Sequence, residues 1–121
     1  MKTRILAAIV ICACLALVAG CGGKAADPAF ARKVVDAVYA GSLSPLRDSM
    51  TADMQTTSDA IIAQQGAALQ RTYGAVKDLK LKSASVVQGF DEQIWTITAE
   101  RGSYDMRLMF AKDGKLAGVW F

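Results

Sequence analysis

The apolar positions of this chain change period near Leu79, dividing it into a helical half and a sheet half. Upstream, Phe30, Val34, Ala37 and Val38 recur every three or four residues, with Arg32, Lys33 and Asp36 around the rest of the turn. That spacing puts one apolar stripe on a helix. Asp27-Pro28 supplies a capping carboxylate and a proline at the first helical position, and Gly41 a stop. Ser44-Pro45 repeats the start signal for a short helix carrying Leu46 and Met50. A third helix is predicted after Thr57 or Ser58, with Ile61, Ile62, Gln65, Ala68, Leu69, Thr72 and Tyr73 along one side and Gly74 at its end. Gly66 weakens this helix by about 1 kcal/mol relative to alanine. It reads as a tolerated glycine, the alternative being a close helix crossing.

Downstream the period is two. Leu79, Leu81, Ser83, Ser85 and Val87 alternate with Lys80, Lys82, Ala84 and Val86, a strand with lysines on its open side. Gln88-Gly89-Phe90 reads as a turn region, with Asp91-Glu92 as a polar loop. Three further strands are predicted over Gln93–Arg101, Tyr104–Ala111 and Lys115–Phe121, joined by the two-residue loops Gly102-Ser103 and Asp113-Gly114. These loops set a register. Ala99 faces Met106, Ile97 faces Leu108 and Trp95 faces Phe110; across the last hairpin Phe110 faces Ala117, Leu108 faces Val119 and Met106 faces Phe121. Opposed residues share a sheet face, so both hairpins put Trp95, Ile97, Ala99, Met106, Leu108, Phe110, Ala117, Val119 and Phe121 on one apolar side.

The other side then carries Ile94, Thr96, Thr98, Glu100, Asp105, Arg107, Met109, Leu116, Gly118 and Trp120. Arg107 lies opposite Trp120, a cation–π arrangement, and Ile94, Met109, Leu116 and Trp120 leave apolar area that a solvated sheet does not need. Ile94, Arg107, Met109, Leu116 and Trp120 are therefore the candidate association face, with scattered surface apolar residues as the plain alternative. Tyr73, Trp95, Met106, Phe110 and Phe121 are the candidate lining of a helix–sheet cavity for a small apolar ligand, with ordinary core packing the plainer reading.

Three N-terminal helices packed on one face of a four-stranded antiparallel meander make an α+β roll. The order of elements, Tyr73-Gly74 closing the long helix, and the ending Asp113-Gly114-Lys115-Leu116-Ala117-Gly118-Val119-Trp120-Phe121 resemble small bacterial domains of the nuclear-transport-factor-2-like, cystatin-like superfamily. The resemblance spans residues 28–121. It implies the fold and no particular activity, because that superfamily includes enzymes, ligand binders and secreted domains.

The N-terminus has the parts of a secretory signal: Lys2 and Arg4, an almost uncharged run from Ile5 to Ala19, then small residues. This run is shorter than the roughly 20 residues that span a bilayer as a helix. Val18-Ala19-Gly20-Cys21 resembles the lipobox of bacterial lipoproteins. That resemblance implies cleavage after Gly20, acylation of Cys21 and attachment to a membrane through the acyl chains. It divides the chain into a signal peptide (1–20), a lipidated tether (21–27) and a single α+β domain (28–121), in the bacterial cell envelope. Gly22 stands where an aspartate marks inner-membrane retention in enteric lipoproteins, which favours the periplasmic face of the outer membrane. Gly22 to Asp27 then form the whole tether, which reaches about 20 Å when extended.

Cleavage changes the charge and cysteine count. The chain has 14 Lys and Arg against 11 Asp and Glu, for a net charge of +3; without Lys2 and Arg4 the balance is near neutral. Nucleic acid is therefore not an expected partner, since binding phosphates needs a concentrated basic surface. Cys12 and Cys14 leave with the signal and Cys21 is acylated, so no disulfide forms within the mature chain. The chain has no histidine. Serine–histidine and cysteine–histidine nucleophiles and the usual zinc ligand sets are thus missing, and neither a catalytic residue, a metal nor a cofactor is expected. Gly20, Gly22 and Gly23 lack the context of a phosphate loop. Asp36, Asp48, Asp59, Asp78, Glu100 and Asp105 remain as carboxylates for an enzyme of a less favoured kind, with Glu100 and Asp105 facing each other across a hairpin. The functional expectation is a non-enzymatic module that binds an envelope protein or forms a homodimer.

Overall fold

The computed structural model describes residues 24–121; the signal-like run, Gly20 and Cys21 lie outside the described residues. Helix α1 runs Pro28–Ala40, capped by Asp27, whose carboxylate accepts from the Ala29 and Phe30 amides, and closed by Gly41 at φ 91°. Its buried side is Ala31, Val34, Val35, Ala37 and Val38. The short second helix is divided in two. A 3₁₀ turn over Ser44–Ser49 buries Leu46, and a one-turn helix α2, Ala52–Gln55, follows with Thr51 as its cap. Between them, Met50 forms an isolated parallel bridge to Leu116. Helix α3, Asp59–Tyr73, begins at the Ser58 cap. Its apolar stripe is narrower than the spacing predicts: Ile62 and Gly66 are buried and Leu69 and Tyr73 half-buried, whereas Ile61, Gln65, Ala68 and Thr72 are exposed. Gly66 is not a tolerated defect. A Cβ there would fall 2.0 Å from the Val38 carbonyl oxygen, so α1 and α3 cross backbone to backbone.

Strands β1 (Val76–Val87), β2 (Phe90–Ala99), β3 (Gly102–Phe110) and β4 (Leu116–Trp120) form one antiparallel sheet in the order β1-β2-β3-β4. β1 and β2 meet at a tight turn, Gln88-Gly89, with both residues at positive φ. A bulge between Leu81 and Ser83 reverses the phase of β1. Leu79 and Leu81 pair with Ile97 and Trp95 on the helix side; beyond the bulge Ala84 and Val86 take that side, and Ser83, Ser85 and Val87 turn outward.

Both predicted hairpin loops are corrected. The β2–β3 loop is Glu100-Arg101, because Ala99 pairs with Gly102 and Trp95 with Met106. Distant contacts hold this turn: Glu100 Oε1 accepts from the Ala75 amide at 2.8 Å, and Arg101 Nη2 donates to the Gln70 and Arg71 carbonyls at 3.0 and 2.8 Å. Glu100 therefore does not face Asp105, whose partner is Thr96. In the last hairpin Ala111 donates to the Lys115 carbonyl, leaving a turn of Lys112, Asp113 and Gly114. One added residue puts Leu116 opposite Phe110, and an irregularity there restores the predicted pairs Leu108–Val119 and Arg107–Trp120. Leu116 is consequently in the core, at 0% exposure.

The core lies between α1 and the sheet, where Val34, Val35, Val38, Trp95, Ile97, Met106, Leu108, Phe110 and Leu116 are all essentially inaccessible. Gln93 is the buried polar side chain among the described residues, at 2% exposure. It accepts from Trp95 Nε1 at 3.2 Å, and its amide donates to the carbonyls of Lys24 and Ala25 at 3.2 and 3.5 Å. The last residues of the expected tether are thus fastened to the domain.

Candidate functional site

Trp120 is the most prominent aromatic on the surface, at 49% exposure near the end of β4. Two neighbours fix its ring. Gly118 lies beneath it: a Cβ at that position would come within 2.2 Å of the indole Cη2. Arg107, its cross-strand partner, sets its guanidinium 5.7 Å from the ring centroid. The same guanidinium stands 3.8 Å from the Glu92 carboxylate. These groups come from β2, β3 and β4, so sheet pairing assembles them.

A depression lies on each side of the indole. On the outer sheet face, Ile94, Asp105, Arg107, Trp120 and Phe121 surround about 170 Å³. Along the β4 edge a larger groove of about 270 Å³ runs between β4 and α3, with Leu43, Met54, Ile61, Ile62, Val119 and Trp120 as its apolar walls. Of the candidate association residues, Ile94, Arg107 and Trp120 come together; Met109 is one register step away, opposite Gly118. Leu116 is withdrawn from the face by the register change. Leu43, Met54 and Ile61 join from the helical half. Ile61 is 54% exposed, whereas its neighbour Ile62 is buried at 5%.

The five candidate cavity residues fall into separate groups. Trp95, Met106 and Phe110 are packed inside the core, with Phe30 set against Phe110 at 5.9 Å between ring centroids. Tyr73 and Phe121 instead flank Tyr104 at the opposite end of the sheet, at 4.6 and 6.1 Å. Tyr104 donates to Tyr39, which donates to the Gly74 carbonyl, at 2.8 and 3.0 Å. Burial, then this hydrogen bond, pushes the Tyr104 phenol well above its ordinary range.

Four of the six candidate carboxylates, all but Asp48 and Asp78, have separate structural partners. Asp36 pairs with Arg32, Asp59 accepts from the Ser42 hydroxyl, and Glu100 holds the Ala75 amide. Asp105 accepts from Lys82 at 2.8 Å and from Thr96 at 3.3 Å. The Lys82 ammonium holds the Asp105 carboxyl below the usual carboxylate range. Among the described residues, no three acidic, cysteine or histidine side chains gather as a metal site would require.

No family model and no curated protein matches the chain. A solved structure from Campylobacter jejuni, named as an NTF2-like transpeptidase and determined at 2.00 Å, is similar over 77% of this chain and 99% of its own, with a TM-score of 0.48 and 14% identity. The α+β arrangement itself rests on the elements and strand pairings above.

Proposed function

We propose that this protein is a lipid-anchored module of the bacterial cell envelope that binds another envelope protein, or a second copy of itself, through the surface around Trp120, without catalysing a reaction. The observation that carries the binding role is the setting of Trp120: half exposed, lying across Gly118, and flanked by depressions on both sides. Tryptophan and arginine at the centre of an apolar surface are the residues that most often dominate protein interfaces. The lipobox-like Val18-Ala19-Gly20-Cys21 supports the anchor, and Gly22 supports the outer membrane's periplasmic face. The non-catalytic role is supported by the lack of histidine and by the structural duties of Asp36, Asp59, Glu100 and Asp105.

The binding role is tested in native membranes by crosslinking the full chain, comparing the parent with Trp120→Ser and Ile61→Ser. Truncating an interface anchor costs about 2 kcal/mol or more, so Trp120→Ser should reduce the crosslinked species roughly 30-fold. Unchanged crosslinking in both variants, beside a parent that does associate, rejects the surface. Cys21→Ser tests the anchor separately: fatty-acid incorporation should vanish and the full-length precursor should persist.

A further inference from the structure

The β1–β2 hairpin ends in an exposed apolar tip. From Ser83 to Phe90 the chain has eight consecutive residues without a charge, in a sequence that is 21% charged. All eight are exposed, including Val86 at 59%, Val87 at 38% and Phe90 at 39%. The lysines and the bulge that protect this edge strand lie before Ser83. Among the described residues nothing packs on the turn: a Cβ placed on Gly89 would meet no atom within 4 Å.

The chain enters the domain at this same end. Gln93 fastens the Lys24 carbonyl, and the Lys24 ammonium sits 5.9 and 5.5 Å from the Phe30 and Phe110 rings. Phe110 pairs with Asp91, one residue from Phe90. From the Gln93 clamp two distances can be compared. Phe90 lies three residues further along β2, about 10 Å at 3.4 Å per residue. Cys21 lies three residues before Lys24, about 10 Å at full extension. The tether is therefore half the length the sequence suggests, and its reach matches the distance from the clamp to Phe90, with the Gln88-Gly89 turn projecting beyond it.

We infer that the β1–β2 tip, through Val86, Val87 and Phe90, docks into the headgroup boundary of the membrane that carries the anchor, with Trp120 held away from it on the opposite, β4 edge of the sheet. This rests on the lipid-anchor reading of Cys21. Apolar side chains favour that boundary, and a tether of this reach holds the tip against it. Charge contributes little, because Lys24, Lys112 and Lys115 at this end are matched by Asp27, Asp91 and Asp113. Docking should therefore be equal on neutral and anionic bilayers.

The test uses the full processed chain in phosphatidylcholine vesicles containing nitroxide-labelled lipid. An environment-sensitive fluorophore is placed at Gln88→Cys, at Val87→Cys, or at Ser103→Cys near the far end of the sheet. Tip probes should be quenched at least about twofold more than the Ser103 probe, with no change when anionic lipid is added. If the chain is vesicle-bound and the parent takes no label at Cys21, but tip and far-end probes are quenched alike, docking is wrong and the anchor stands. If the parent labels at Cys21 or stays off the vesicles, the anchor reading falls and takes the docking with it. A shielded tip that depends on protein concentration and not on quencher lipid means a second copy covers it, which also overturns the proposal.

Discussion

Replacing Gly66 by alanine tests the α1–α3 crossing, because helix propensity and packing predict opposite signs. In an exposed helix, glycine to alanine stabilises by about 1 kcal/mol. Here the new methyl would meet the Val38 carbonyl oxygen at 2.0 Å, the Val38 carbonyl carbon at 2.9 Å and the Tyr39 Cα at 3.2 Å. All three are backbone atoms of α1, so no side-chain rotation relieves them. An ordinary carbon–oxygen contact is about 3.3 Å, which requires the helices to separate by roughly 1 Å. That displacement also disturbs Val34, Val35 and Val38, each at 0% exposure against the sheet. Overpacking costs about 1–3 kcal/mol or more. After the propensity gain, we expect a net loss of at least about 1 kcal/mol, equivalent to a fall of about 4–8 °C in Tm. Emission of the buried Trp95 during thermal and urea unfolding of the full chain reports the change. Ala67→Gly, one residue along on the exposed side, should lose about 1 kcal/mol through propensity alone. A Gly66→Ala midpoint equal to or above the parent would refute the close crossing.

Three further outcomes follow from named contacts. Gly118→Ala should displace the Trp120 ring, since its Cβ would lie 2.2 Å from Cη2; crosslinking should fall as in Trp120→Ser while the core emission of Trp95 stays unchanged. Tyr39→Phe removes the bond to Gly74 and the acceptor of Tyr104, costing about 1–2 kcal/mol, and should lower the Tyr104 phenol towards its ordinary value in an absorbance titration. Because the folded value of Tyr104 is raised, its contribution is complete below an unfolded pKa of about 10 and is lost as pH climbs above it. Lys82→Ala should return the depressed Asp105 carboxyl towards the ordinary range, measured by carboxyl NMR. In the parent, whatever stability this pair gives is present above the ordinary carboxylate pKa and disappears as pH falls through the lower folded value.

The two hairpin errors had different consequences because of parity. Taking Gly102-Ser103 as the β2–β3 loop misplaces the pairing by four residues, yet an even displacement keeps every side chain on its face. Trp95, Ile97, Met106, Leu108 and Phe110 were therefore legible as core, and all five are at or below 1% exposure. Around Asp113-Gly114 the error was a single residue, and an odd displacement exchanges faces. Leu116 moved from the candidate surface to the core for that reason. Neither turn was decidable locally. Glu100 and Arg101 make the β2–β3 turn by bonding to Ala75, Gln70 and Arg71, a tertiary constraint that no short-range turn preference contains.

Gly66, Gly118 and Gln93 share one reason for being hard to read in advance: each acts on something other than a periodic side-chain pattern. Gly66 admits the Val38 carbonyl, Gly118 admits an indole from two residues away, and Gln93 fastens the carbonyls of Lys24 and Ala25. Apolar periodicity reports which side chains leave water, and so it located Trp120, Arg107 and Ile94. It does not register an omitted Cβ or a bond to main chain. Yet those features determine orientation. Without Gly118 the indole could not lie across its own strand, and without Gln93 the Lys24 and Ala25 carbonyls would lose their hold on β2. The sequence could therefore nominate a surface, whereas its relation to the point where the chain enters the domain, with Trp120 on the β4 edge one row from Gln93, depends on backbone contacts that appear only when the chain is folded.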